Sequence, residues 1–354
     1  MKKAGAYRKI LIIKPSSLGD IVHSLPFLNA VKACIPKAEI HWVVSRGLEG
    51  LLEGHPMIDR LIVINKDTWK KISKARSTLK EAAGLFRMLR NERYDLVIDL
   101  QGLLRSGLIA MATRAPERIG FSEAREGSRL FYTRRVRGGR DVHAVDRCLK
   151  MAEAIGCEPG PPLFPFPLLH SDLSRVRGMM QDLGEYAVIV PGARWETKIW
   201  PAENFGAVAA GLDFKSIVIG SAADAEIAAK VVSASGGKAV SMAGSTNLAE
   251  LIELMRGAKL VISNDSGPMH IAAGFSVPVA AVFGPTSPDR TGPYGDVHIV
   301  LQSGRDCVPC FRRTCRTRQC MSDITPEAVL AEVGATGCRG TKRKTVMPSA
   351  KGSS

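Results

Sequence analysis

The sequence predicts an α/β protein built from two doubly wound, Rossmann-like parallel-sheet domains, and three observations predict it. Short β-branched runs alternate with longer helical stretches along most of the chain. Those runs are continuous rather than alternating, as in strands buried on both faces of a parallel sheet. Finally, the stretch EPGPPLFPFPLLH (158–170) packs five prolines into thirteen residues and interrupts the alternation once. Proline lacks a donor and disfavours helix before it, so no helix or central strand runs through.

In the first half, strands are expected at KILIIK (9–14), EIHWVV (39–44), RLIVIN (60–65) and YDLVIDL (94–100). Helices are expected at 20–35, 46–54, 76–92, 103–114 and 143–155. Beyond the prolines come strands YAVIV (186–190), KSIVIG (215–220), KLVIS (259–263) and VPVAAVF (277–283). Helices at 202–212, 223–234, 247–256 and 267–274 separate or follow them. The expected organisation is thus a domain at 1–157, a linker at 158–170 and a second domain at 171–338. The remainder, 339–354, is basic, polar and aperiodic, and reads as a disordered tail.

The chain has 354 residues, 45% hydrophobic and 23% charged, with a net charge of +15. That length holds about two domains, and the composition excludes a collagen-like, coiled-coil or disordered polymer. The charge is unevenly placed. Residues 1–160 hold 29 basic and 17 acidic side chains, residues 161–338 hold 15 and 17, and the tail has five basic groups and no acid. A basic first half points to an anionic partner. No apolar run approaches the ~18 residues of a membrane span. The opening MKKAGAYRKILIIK has an apolar run too short for a signal peptide, and the expected location is cytoplasmic. Eight cysteines in so long a chain do not make a secreted disulfide scaffold.

Ligands of open α/β sheets bind beyond the carboxyl ends of strands, so the turns there matter most. The first, Lys14-Pro15-Ser16-Ser17-Leu18-Gly19-Asp20, has one glycine where a dinucleotide fingerprint has three. Asp20 has two readings: a helix N-cap, or a general base facing a cleft. His23 lies one helical turn on. After KLVIS comes Asn264-Asp265-Ser266-Gly267-Pro268-Met269-His270, where a helix start can bind an anion and glycine allows close approach. The turn from Pro191 to Pro201 offers Arg194 and Lys198 as cations, flanked by Trp195 and Trp200. After KSIVIG, Asp224 or Glu226 could accept bonds from ribose hydroxyls. FGPTSP (283–288) follows the last strand. In the basic half, Trp69, Lys70 and Arg125 stand out as candidate contacts for an anionic ligand.

KPSSLGDIVHSLP, IDLQGLLRSGLIA, PGARWETKIWP, NDSGPMHIAA and VFGPTSPDRTGPYG together resemble the ADP-heptose:lipopolysaccharide heptosyltransferases, glycosyltransferase family 9. The resemblance spans about residues 8–333 and is most specific at NDSGPMH and FGPT. It implies the two-domain GT-B fold and inverting, metal-independent transfer with no cofactor. AREGSRLFYTRRV and HAVDR (124–147), with GDIVH, are closer to members that add the first heptose to Kdo than to those that add the second.

The resemblance makes Asp20 the catalytic base, with Ser17, His23, Trp69, Lys70 and Arg125 on the acceptor side. It makes Lys198 a contact of the donor's phosphates, with Asp265, Ser266, Gly267 and His270 as the donor motif. Asp224 or Glu226 would hold the ribose, and Thr246 and Asn247 would line the adenine pocket. Arg194 stands where a small hydroxyl residue is expected, and would supply phosphate charge instead. The implied partners are ADP-heptose, an anionic Kdo–lipid A acceptor and the inner-membrane surface. A nucleic-acid-binding protein is the alternative from another class, but no reader motif supports it.

Cys307, Cys310, Cys315 and Cys320 fall within fourteen residues, interleaved with Arg312, Arg313, Arg316 and Arg318. Zinc, an iron–sulfur cluster or a reduced structural loop would each account for them. Cys34, Cys148, Cys157 and Cys338 read as ordinary cysteines.

Overall fold

The computed structural model describes residues 6–65, 75–167, 173–335 and 343–348. The chain divides into two compact units, Met1–His170 and Ser171–Ser354.

The first unit carries strands β1 (Lys9–Ile13), β2 (Glu39–Ser45), β3 (Arg60–Ile64), β4 (Leu96–Asp99), β5 (Glu117–Phe121) and β6 (Arg134–Val136). They form one parallel sheet in the order β3-β2-β1-β4-β5-β6, the doubly wound arrangement that places a switch point between β1 and β4. Its helices are α1 (Leu18–His23), α2 (Leu25–Cys34), α3 (Ala75–Asn91), α4 (Leu104–Ala112) and α5 (Ala144–Ala154). Leu11, Ile13, Val43, Val97 and Ile109 are fully buried in its core.

Two expectations need correcting here. The helix predicted at 46–54 is only a short 3₁₀ turn, Glu49–Leu51. The helix predicted at 20–35 is two helices broken at Ser24, where Pro26 cannot donate to the preceding turn. Ser24 Oγ instead bonds the Asp20 carbonyl at 2.8 Å.

The second unit carries β7 (Tyr186–Val190), β8 (Lys215–Val218), β9 (Ala239–Ser241), β10 (Leu260–Asn264), β11 (Val279–Phe283), β12 (Ile299–Ser303) and β13 (Arg343–Met347). The parallel order is β13-β12-β11-β10-β7-β8-β9. Its helices are α6 (Ser174–Leu183), α7 (Ala202–Gly211), α8 (Ala225–Ala234), α9 (Leu248–Gly257), α10 (Gly267–Gly274), α11 (Pro288–Thr291), α12 (Gln319–Ser322) and α13 (Pro326–Ala335). Trp200, Phe205, Ile189, Ile262 and Val282 anchor its core.

β13 corrects the reading of 339–354 as wholly disordered. Residues 343–347 pair with β12 from Ile299↔Arg343 to Ser303↔Met347. An edge strand pairs on one side only and tolerates charge, so RKTVM shows no buried-strand pattern. Lys344 bonds Asp289 at 2.9 Å and Thr345 bonds Glu332 at 2.8 Å, fastening it further. Among the described residues, no helix is long and apolar enough to cross a membrane.

Cys34 and Cys157 also depart from expectation: they are disulfide-bonded, with Cα atoms 5.5 Å apart. The bond joins the end of α2 to the residues following α5. Nearby in sequence, Pro165 belongs to the proline-dense stretch, and its carbonyl lies 2.9 Å from His55 Nε2. His55 Nδ1 accepts from the Met57 N–H at 3.1 Å, so the ring is neutral with its proton on Nε2. Burial lowers the His55 pKa, and the Pro165 bond opposes this only in part. The unfolded chain therefore takes up a proton first as pH falls below the ordinary ~6.5, and folding stability is lost there. Thermal melts from pH 7.5 to 5 should show wild type losing stability relative to His55→Gln. Parallel curves for the two proteins would contradict this.

Candidate functional site

β1 ends in the turn that leads to α1. Ser17, rather than Asp20, is the N-cap; Asp20 occupies the third helical position. Asp20 Oδ2 accepts from the Ser17 backbone N–H at 2.8 Å and from Ser17 Oγ at 2.7 Å. Its Oδ1 lies 3.6 Å from Lys14 Nζ, and the side chain is 45% exposed. Lys14 is buried and donates to the Leu100 carbonyl at 3.1 Å. A carboxylate is thus fixed by the helix start beside a cation, yet remains open to a substrate hydroxyl.

His23 is not placed as expected. It is 3% exposed and packs edge-on to His143 with ring centroids 5.4 Å apart, so its environment is core rather than ligand. Trp69 and Lys70 lie outside the described residues. Arg125 is exposed, and its backbone N–H bonds the Gly102 carbonyl at 2.9 Å.

That Gly102 turn is organised by Asp99, to which sequence reasoning assigns no role. Asp99 ends β4 fully buried, accepting from the Gln101 and Gly102 N–H groups at 2.8 and 3.0 Å and from Tyr132 Oη at 2.6 Å. Burial raises its pKa against those bonds. The Tyr132 ring reaches Asp99 across Gly120, where a Cβ would come within 2.2 Å of it. A carboxylate closing an apolar strand run was the available signal.

In the second unit, β10 ends at Asn264 and α10 begins at Gly267 with Ser266 as N-cap. Asp265 is 6% exposed and its Oδ2 accepts from Lys198 Nζ and from Thr286 Oγ1, each at 2.6 Å. Lys198 closes the turn Glu196–Lys198, and its ammonium lies 4.6 Å from the centroid of the Trp195 ring. Asn264 fastens that loop from below: its Nδ2 donates to the Pro191 carbonyl at 2.7 Å, and its Oδ1 accepts from the Trp200 N–H at 3.0 Å. Lys198, Asp265, Ser266, Gly267 and Thr286 therefore converge at the carboxyl ends of β10 and β11. His270 is buried one turn into α10. Asn264 and Thr286 fall in the motifs singled out in the sequence, but the partners that fix them are distant in sequence and were not legible.

Asp224 repeats the Asp20 arrangement. Its Oδ2 accepts from the Ser221 N–H at 2.8 Å and Oγ at 2.7 Å. The side chain lies against Gly192 and Gly220, at the ends of β7 and β8. Glu226 instead points outward, 85% exposed and 3.0 Å from Lys230 Nζ, which lowers its pKa. Of the two acids, Asp224 is the one held against the strand ends, and Glu226 the one turned to solvent. Both border a hollow of about 720 Å³ that Trp200 and Pro201 also line. Asn247 is the N-cap of α9, exchanging bonds of 2.9 Å with Glu250, and Thr246 precedes it half-buried. Arg194 is exposed.

Cys307, Cys310, Cys315 and Cys320 are free thiols around one cavity of about 300 Å³. Burial, reinforced by the charge of the other three sulfurs, pushes Cys320 up to about 11. Backbone N–H groups of Arg318 and Thr317 aim at the Cys315 sulfur and lower its pKa.

Each unit thus presents chemistry at the carboxyl ends of parallel strands: an acid in one, a lysine–aspartate pair and helix N-terminus in the other. Residues 82–321 match glycosyltransferase family 9 (heptosyltransferase). The chain belongs to glycosyltransferase family 9. This family 9 chain is 31% identical over 318 residues to lipopolysaccharide heptosyltransferase 1 of Pseudomonas aeruginosa, covering 87% of each. It is 29% identical over 347 residues to lipopolysaccharide heptosyltransferase 2 of Salmonella typhimurium, covering 92% of this chain and 97% of that relative. Among solved structures, E. coli heptosyltransferase WaaC with ADP aligns at a TM-score of 0.74 and 25% identity, over 92% of this chain and 99% of that one. The expected family, GT-B fold and glycosyl transfer are borne out.

Proposed function

We propose that this glycosyltransferase transfers heptose from ADP-heptose to the Kdo of a lipid A precursor, with inversion and without a catalytic metal ion. The observation that carries the reading is the Lys198–Asp265–Thr286 cluster beside the α10 N-terminus, a ready cradle for a departing diphosphate. The acceptor hydroxyl oxygen attacks the anomeric carbon opposite ADP as the bond to the phosphate oxygen breaks. Asp20 takes the hydroxyl proton, and ADP leaves with the bonding electrons, its charge met by Lys198 and the helix start.

Asp265 is buried, so its part is to hold Lys198 rather than to touch the sugar. Asp224 accepts from the ribose hydroxyls, and Ser17 keeps Asp20 in register. Thr246 and Asn247 border the base, and Arg194 adds charge beside the phosphates. Arg125, set by the Asp99-organised turn, meets the anionic acceptor. Excess basic charge in residues 1–160 and in the tail suits work at the cytoplasmic face of the inner membrane.

The test supplies purified protein with ADP-heptose and either Kdo₂–lipid A or the same acceptor already carrying one heptose, with no divalent cation added. Product from the first acceptor alone supports the reading. Product only from the second would make the chain a type II enzyme, and none from either would overturn the proposal. Within the donor site, a Cβ at residue 192 would lie 2.6 Å from Asp224 Oδ1. Gly192→Ala should therefore raise donor KM on the order of tenfold, about one charge-assisted hydrogen bond, and leave acceptor KM unchanged. Initial rates with each substrate varied in turn check this.

A further inference from the structure

We propose that Cys307, Cys310, Cys315 and Cys320 form a tetrathiolate site for one zinc ion, which pins the turn carrying Lys198. Four thiols, none in a disulfide, face one cavity of about 300 Å³. Cys307-x2-Cys310 has knuckle spacing, and sulfur ligands select zinc over magnesium or calcium. The Cys315 sulfur already accepts backbone N–H groups from residues two and three positions on. Such bonds hold a sulfur in orientation, as outer-shell partners do for metal ligands.

The chain turns sharply through left-handed residues at Phe311 (φ 54°) and Arg318 (φ 48°), and all four cysteines line the one cavity. Zinc with four thiolates has a charge of −2, and Arg305, Arg312 and Arg318 line the same cavity to offset it.

Among the described residues, the potential ligand atoms that come within 4.8 Å of one another are those of Glu39, His41 and Glu92. There the Lys9 ammonium already pairs with both acids, so that cluster is an ion pair. The four sulfurs stand wider, and Zn–S bonds of ~2.3 Å would draw the loop inward. Each thiol loses its proton to solvent as its bond to zinc forms, and no electron is transferred.

What the ion would hold is visible in the contacts. Thr197 Oγ1 donates to the Arg312 carbonyl at 2.8 Å, and Arg318 pairs with Glu196 at 3.1 Å. The Arg313 guanidinium lies 5.0 Å from the Trp195 ring centroid, against the ring that also carries Lys198. The loop therefore grips the Glu196–Lys198 turn. That second part of the inference rests on Lys198 serving the donor.

Full-length protein, purified under reducing conditions without chelator, is loaded with zinc chloride, desalted and assayed by mass spectrometry for metal. About one zinc per chain is expected, with four thiols shielded from a disulfide reagent until a zinc chelator is added. Cys310→Ser combined with Cys315→Ser should retain less than about a tenth of the zinc at an unchanged circular-dichroism spectrum. Wild type that holds no zinc, holds another metal instead, or forms disulfides within the cluster overturns the site, whether or not the variant folds. Zinc removal should also weaken ADP binding several-fold, and an unchanged ADP affinity would overturn the pinning. Metal content is read without any sugar donor, so its failure is distinct from failure of the proposed activity.

Discussion

Asp20→Asn should lower kcat by about 10³-fold, the range of a lost general base, while the protein melts close to wild type. The amide keeps an oxygen that can accept both Ser17 bonds, so the reciprocal contact between the third helical position and the N-cap survives. What disappears is the proposed acceptor of the hydroxyl proton and the charge beside Lys14. That ion pair is nearly half exposed on the Asp20 side, so its loss costs within about 1 kcal/mol of stability. Asp20→Ala serves as the contrast, since it removes the carboxylate and its two bonds to the Ser17 N-cap together and should cost about 1 kcal/mol more. Steady-state rates and thermal melts on both variants decide the matter. An Asn variant within threefold of wild-type kcat would remove Asp20 from the chemistry.

Lys198→Ala should cost roughly 10²–10³ in kcat/KM for the donor, the range found when one preorganised charge donor is deleted. On the proposed mechanism the effect exceeds simple loss of binding, because leaving-group charge would develop beside Lys198, which is held between Asp265 and the Trp195 face. Its removal also leaves buried Asp265 with Thr286 and no cation, so a loss of about 1–3 kcal/mol in stability accompanies it. Lys198→Arg separates the two effects. It restores charge for Asp265 but cannot place a compact ammonium at 2.6 Å, so stability should recover further than rate. Donor kcat/KM, ADP affinity and melting temperature for both variants test this. Equal recovery of all three by arginine would make Lys198 a structural counter-charge only.

Central strands were legible because burial on both faces demands continuous apolar residues. KILII, YAVIV and VAAVF satisfy that without help from context. ERIGF, RRV and RKTVM were not legible, since β6 and β13 pair on one side only and β5 lies one strand in from the edge. At the site, residue types at strand ends located Asp20, Asp224 and Asp265. Asp20 and Asp224 are set by serines three residues earlier, whereas the placement of Asp265 was not legible, because its partners lie far away in sequence. Lys198 meets Asp265 across 67 positions, and Tyr132 meets Asp99 across 33. His23 shows the converse: its position in the motif suggested a ligand, while the packing of α1 and α5 buries it.

The matched pairs Ser17–Asp20 and Ser221–Asp224 have one more consequence. In each, a serine at the helix start holds the carboxylate through two bonds that an amide oxygen can also accept, so an oxygen-for-nitrogen exchange changes the charge and leaves the helix start in place. If Asp20 is the base proposed above, the Asp20→Asn protein would still fold and still bind its donor while losing turnover. On the proposed mechanism that variant is the one in which to capture donor and acceptor unreacted.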